Sequence, residues 1–134
     1  MKILVDTNRL VAALIKESTT RAILFDEKFE FITPEFTLSE FNKHKNEIQE
    51  KTKLTDKEFE ILIALIFERI TILPLSEYGL YINKCKNEIK DIDNVPFIAA
   101  SIACDAQGIW THDPHFKEQN KIKIFTNIDL LNIK

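Results

Sequence analysis

Glycine and proline are scarce, with two and four among 134 residues. Tight hairpins lean on such residues, so a meander of antiparallel strands is not expected. Cysteine is equally scarce. Cys85 and Cys104 lie in apolar helical patterns, which reads as buried free thiols rather than a disulfide. An excess of basic charge is also missing. Eighteen Lys and Arg face twenty-one Asp and Glu, a net charge of −3. The usual electrostatic footprint of nucleic-acid binding is therefore absent. Such binding is not excluded, because bound metal ions would cancel several acids locally. No apolar run is long enough to span a bilayer. The longest covers residues 61–67, between Glu60 and Glu68. Asp6 and Arg9 interrupt the apolar start, which argues against a signal peptide. A soluble, cytoplasmic protein with no membrane contact is expected. There is no Gly-rich phosphate loop either, so P-loop nucleotide hydrolysis is out.

What is present is enough apolar material for a core: 45% hydrophobic residues, ten of them Phe. The chain has the size of one ordinary domain, taken as residues 1–134. Short apolar runs alternate with longer amphipathic stretches. That alternation predicts βα units and a parallel sheet.

Strands are predicted at Lys2–Val5 and at residues 30–33, 69–73, 109–111 and 123–125. Ile3-Leu4-Val5 is continuously apolar, as a strand buried on both faces should be. A helix is predicted from about Asn8. Another covers residues 37–50, with Leu38, Phe41 and Ile48 on one side. A third covers 55–68, where Thr55 and Glu58 have capping-box spacing. A fourth covers 76–89, with Tyr78, Tyr81, Ile82, Cys85 and Ile89 on one face. The stretch 95–106 is apolar nearly all round and is placed deep in the core, with Gly108 as its stop.

In a parallel α/β sheet, function lies outside the carboxyl ends of the strands. Asp6 directly follows the first strand, and Asp113 closes Ile109-Trp110-Thr111. Glu40 stands one turn into the helix after the second strand. Asp91, Asp93 and Asn94 precede the apolar helix. Each alone is explained by helix capping. Asp6 and Asn94 or Asp93 suit N-caps, Asp113 precedes Pro114, and Thr37 with Glu40 has capping-box spacing. Together they are harder to explain. Carboxylates gathered in one crevice repel and raise each other's pKa, whereas Ser, Thr or Asn would cap without that repulsion. Hard oxygen donors suit Mg²⁺ or Mn²⁺. The matching chemistry is phosphodiester hydrolysis, in which a metal activates water and offsets phosphate charge.

These residues resemble the PIN domain family over nearly the whole chain. The resemblance is carried by Ile3-Leu4-Val5-Asp6-Thr7-Asn8, Ser39-Glu40, Asp91-Ile92-Asp93-Asn94-Val95-Pro96-Phe97-Ile98-Ala99-Ala100, Ile109-Trp110-Thr111-His112-Asp113, and Ile124-Phe125-Thr126 with Leu130-Leu131. It implies a three-layer α/β/α sandwich around a mostly parallel sheet of four to five strands. Many such domains are Mg²⁺- or Mn²⁺-dependent ribonucleases, and many prokaryotic ones are toxins of VapC-type toxin–antitoxin pairs. By resemblance Asp6 is the first metal acid, Glu40 the second and Asp113 the last, with Asn8 and Thr111 as polar supports. The third acid departs from the pattern. Asn94 stands where the family usually has Asp, and Asp91 or Asp93 matches an acid often found just upstream. Either Asp93 supplies the missing charge, as a fourth catalytic acid, or the site holds metal with one charge fewer.

Other patterns are weaker. His112-x-x-His115 crosses Pro114 with no cysteine pair nearby, so zinc is disfavoured. Asp6-Thr7-Asn8 loosely resembles haloacid-dehalogenase phosphatases, but Asn8 stands where their second Asp belongs. Lys43, His44, Lys45, Lys51, Lys53 and Lys57 form either a solvated helix face or the flank of a path for single-stranded RNA. Arg9 and Lys16 would extend it. The run 61–67 is more apolar than one helix face requires, which leaves core burial and a dimer or antitoxin contact both open. Two functions from different classes follow: a metal-dependent ribonuclease, and a non-catalytic RNA- or protein-binding module in which Asn94 has replaced the acid.

Overall fold

The computed structural model describes residues 1–87 and 91–134. Five strands are β1 (Lys2–Val5), β2 (Glu30–Pro34), β3 (Ile70–Leu73), β4 (Gly108–Trp110) and β5 (Ile124–Phe125). The helices are α1 (Thr7–Ile15), α2 (Thr19–Leu24), α3 (Phe36–Thr52), α4 (Asp56–Glu68), α5 (Leu75–Cys85), α6 (Val95–Ala103) and α7 (Asn127–Leu131). All four strand pairings are parallel, in the order β3-β2-β1-β4-β5. The winding therefore reverses between β1 and β4. In such sheets that reversal opens the crevice where ligands bind.

Strand alternation sorts the core into two layers. Ile3, Val5, Phe31, Trp110 and Phe125 join α1 to α4 and α7 on one face. Leu4, Ile32 and Ile109 join α5 and α6 on the other. Helices thus cover both faces, and the central strands are buried except for the first residues of β1 and β2. Phe59 and Ile66 fix α4, each with 0% exposure. A fully buried side chain of this kind contributes roughly 1.5–3 kcal/mol. Among the described residues no helix is long and apolar enough to cross a membrane.

Several local expectations change. The helix expected from residue 37 begins at Phe36, and Thr37 is buried on its inner face while Leu38 is exposed. The helix expected to reach Ala106 stops at Ala103. Asp105 takes the left-handed conformation, with φ 54°. The Ala106 N–H returns to the Ser101 carbonyl and the Asp105 N–H to that of Ile102, a Schellman ending with Asp in the place usually held by Gly. Gly108 is thus not the helix stop. It opens β4 instead. The helix expected over 76–89 spans Leu75–Cys85, and Ile89 lies outside the described residues. The capping box of Thr55 and Glu58 forms as expected. Neither cysteine forms a disulfide; Cys85 is buried as expected, and Cys104 is only half-buried. The run 61–67 divides: Ile66 is in the core, whereas Ile61 and Leu65 are 53% and 48% exposed.

A methyl group at Gly108 would meet the Phe125 ring at 2.4 Å and the Lys123 carbonyl oxygen at 2.7 Å. Backbone there cannot yield without parting β4 from β5. Gly108→Ala is expected to destabilise the fold by about 1–3 kcal/mol. The check is the midpoint of urea unfolding, which should fall.

Candidate metal centre

β1 and β4 end side by side, so the residues that follow them share one edge. Asp6 is 4% exposed there. Its Oδ2 accepts a 2.7 Å hydrogen bond from the Thr111 hydroxyl, which in turn accepts from the Asp113 N–H at 3.0 Å. One side chain thereby locks the ends of the two strands together. Asp6 occupies the N-cap position of α1, where the Asn8 N–H is near its carboxylate but no full capping hydrogen bond forms. Burial raises its pKa most. The Thr111 bond and the Asn8 N–H oppose the shift, Asp113 adds to it, and Arg9 opposes it.

Glu40 does not cap its own helix. It lies beyond the first turn of α3, and Thr7 donates to its Oε1 at 2.6 Å. Behind Thr7 runs a buried chain of hydroxyls. Thr7 touches Thr37 at 3.2 Å, Thr37 touches Thr33 at 2.7 Å, and Thr33 reaches the Val5 carbonyl at 2.9 Å. Glu40 also has a raised pKa, first from burial and then from Asp6, Asp93 and Asp91; its bond from Thr7 opposes the shift.

Asp113 does cap. Its Oδ1 accepts the His115 N–H at 2.9 Å, ahead of a 3-10 turn at Pro114–Glu118. Its Oδ2 accepts from the Asn94 amide at 2.9 Å. Asn94 is buried and ends the 3-10 turn Ile92–Asn94, which Asp91 caps. Asp93 is exposed, and its charge is felt at Glu40. Asp91 is closer to Asp113. Asp91, Asp113 and His115 each offer a ligand atom, all within 4.8 Å of one another.

The histidines diverge. His115 Nδ1 lies 3.4 Å from Asp113 and 3.8 Å from Asp91. His112 Nε2 instead accepts the Asn127 N–H at 3.1 Å. Burial and the nearby Arg9 charge lower the His112 pKa. Among the described residues, no Lys or Arg forms an ion pair with Asp6, Glu40, Asp91, Asp93 or Asp113. Arg9 Nε is buried beside them without a hydrogen-bond partner among the described residues.

The PIN domain model matches residues 4–124. This chain belongs to the PIN domain family. No curated protein gives a significant match. The fold is similar to that of a chain in the crystal structure of VapBC2 from Rickettsia felis bound to a DNA fragment from their promoter. That likeness has a TM-score of 0.73 at 17% identity, over 94% of this chain and 98% of that one. At such identity it is a likeness of fold.

Within this PIN domain the structure brings Asp6, Thr111, Asp113 and Asn94 into one hydrogen-bonded group, with Glu40 held beside it through Thr7. Asn8 contributes its backbone to Asp6, while its exposed side chain borders a cleft of about 240 Å³ with Glu40, His44 and Lys51. Of the basic stretch, only His44 and Lys51 line that cleft, with Glu47 between them. Lys45 turns away to pair with Glu60 at 2.9 Å. Sequence reasoning missed Thr7, Thr33 and Thr37 as supports, and it weighed His115 only as a zinc ligand. The signal for Thr7 was its place directly after Asp6.

The raised pKa values have a consequence for stability. In the folded chain Asp6 and Glu40 hold protons at a pH where the unfolded chain has released them. Stability from these groups therefore falls as pH rises through the raised values, and the loss is absent below the ordinary Asp value of 3.8. Asn at position 6 can still accept from Thr111. Without divalent metal, Asp6→Asn is expected to raise unfolding free energy at neutral pH by about 1 kcal/mol. The gain should vanish toward pH 3. Urea unfolding in EDTA at both pH values is the check, and a loss of stability at neutral pH would contradict it.

Proposed function

We propose that this PIN domain is a divalent-metal-dependent endoribonuclease acting on phosphodiester bonds of single-stranded RNA. One observation carries the proposal. Acids from four separate segments meet at the switch point of the sheet, and hydroxyls and amides hold them instead of cations. Such a donor set suits a hard cation such as Mg²⁺ or Mn²⁺. Asp6, Glu40 and Asp113 would hold the ion, with Asp91 or Asp93 completing the set. Bound there, it supplies activation of water and neutralisation of charge on the phosphate. The chain itself does the positioning. Thr111 fixes Asp6, Thr7 fixes Glu40, and Asn94 fixes one oxygen of Asp113. The guanidinium of half-buried Arg9 lies close enough to Asp6 to act on its charge, and its accessible edge would offer a charge-assisted bond to a phosphate oxygen.

The proposal extends to a cytoplasmic VapC-type toxin with a protein antitoxin. The exposed Ile61 and Leu65 on α4 would contact that antitoxin or a second copy of the chain. A second reading, a non-catalytic binding module, draws support from Asn94. It presents a neutral donor to Asp113 where the family pattern has an acid.

Calorimetric titration of Mn²⁺ together with cleavage of single-stranded RNA separates the two. The wild type should bind Mn²⁺ and cleave. Asp6→Asn and Asp113→Asn should each reduce cleavage by at least about 100-fold. Asp91→Asn should weaken Mn²⁺ binding more than Asp93→Asn, because Asp91 shares its ligand space with Asp113. Asn94→Asp should tighten the metal while lowering stability in EDTA through repulsion with Asp113. A wild type that binds RNA but no Mn²⁺, and does not cleave, would establish the module instead.

A further inference from the structure

Next to the acids, the β4–β5 end of the sheet encloses a pocket of about 290 Å³. Pro114, Ile124 and Ile128 give it apolar walls, His112 and Asp113 border it, and Lys117 completes the lining. We propose that this pocket seats one nucleobase of the RNA strand, that of a nucleotide adjoining the phosphate at the acids. The inference rests on the ribonuclease reading and names a substrate subsite for it.

Three features favour a nucleobase. The first is continuity. Thr111 and Asp113 belong both to the pocket lining and to the acid group, so an occupant lies against the reacting edge. The second is rigidity. The His112 imidazole is held by the Asn127 N–H. The Asn127 side chain is itself stretched between Trp110 Nε1, at 2.8 Å, and the Thr20 hydroxyl, at 3.0 Å. Thr126 is engaged in capping α7 through Asp129. The walls are therefore set before any ligand arrives, which spares the ordering entropy of binding.

The third is chemistry. The fixed polar groups of the lining are already bonded within the protein, so little remains to read the edge of a base. An aromatic face fits apolar walls, and the phosphate attached to it fits Lys117. That lysine is exposed and forms none of the ion pairs found among the described residues. A basic peptide side chain would be repelled by Lys117. The volume is at the small end for ligand pockets, about 300 Å³, enough for a base. Binding by stacking and burial discriminates weakly among bases, so the pocket should demand a base without strongly preferring one.

The test is an NMR titration of the metal-free protein with AMP, UMP and ribose 5-phosphate. AMP and UMP should shift His112, Lys117, Ile124 and Ile128, with affinities within a few-fold of each other. Ribose 5-phosphate should bind about tenfold more weakly. Ile128 is 69% exposed, so Ile128→Trp can fill the pocket without disturbing the core. It should weaken AMP about tenfold and leave Mn²⁺ affinity unchanged. Lys117→Ala should weaken AMP but not adenosine. Equal binding of AMP and ribose 5-phosphate, shifts confined to other surfaces, or unchanged AMP affinity in Ile128→Trp would overturn the inference, and the pocket would then be open to a peptide side chain. Those failures with Mn²⁺ binding and RNA cleavage intact would overturn the subsite alone. Absence of Mn²⁺ binding and cleavage would instead remove the ribonuclease reading.

Discussion

A carboxylate at the end of a central strand, 4% exposed and backed by two packed layers, has few ways to keep its charge. Asp6 is in that position because β1 is the innermost strand and its winding neighbours leave on opposite faces. Water cannot solvate it fully, and no lysine or arginine pairs with it among the described residues. What remains is chiefly the Thr111 hydroxyl, with smaller help from the Asn8 N–H and the Arg9 charge. Because Thr111 also receives the Asp113 N–H, meeting the demand of Asp6 fixes the loop after β4. The geometry of the second acid thus follows from the solvation of the first.

The same economy recurs at Glu40. Three threonine hydroxyls tie β1, β2, α1 and α3 together and end on its carboxylate. Hydroxyls orient an acid without neutralising it. A lysine in their place would stabilise the apo fold and quench the charge that a cation needs. Burial raises the pKa of both Asp6 and Glu40, and the hydroxyl bonds oppose that shift only in part. Under the metal-dependent reading, a bound cation would offset the repulsion among these acids.

The strands and the acids that follow them were legible because they depend on local pattern. A continuous apolar run such as Ile3-Leu4-Val5 announces a buried strand, and the residue after it falls at the carboxyl edge. The hydroxyl network was not legible, because Thr33 and Thr7 find partners 28 and 33 residues away. Thr37 and Glu40 misled for the same reason: their spacing imitates a capping box, but α3 starts earlier and tertiary contacts claim both side chains. α2 and α7, of six and five residues, are too short to display a helical period. The Schellman ending at Asp105 escaped because Asp is an uncommon occupant of a left-handed position that glycine usually takes.

Asn94 shows how one position can be tuned between stability and affinity. An acid there would face the Asp113 carboxylate in a half-buried crevice and raise the repulsion of the empty site. The amide instead donates to Asp113 Oδ2, relieving the apo fold and fixing the orientation of that carboxylate. The fixed oxygen is one less free electron pair for a cation, and the site loses one charge against the family pattern. Asp91 offsets part of that loss, since its own oxygen lies within 4.8 Å of ligand atoms on Asp113 and His115. Under the nuclease reading, the charge offered to a cation then lies at the more open turn before α6 rather than at its buried start. A cation held there would be better hydrated and less tightly enclosed, which under the nuclease reading trades affinity for a fold that tolerates the empty state.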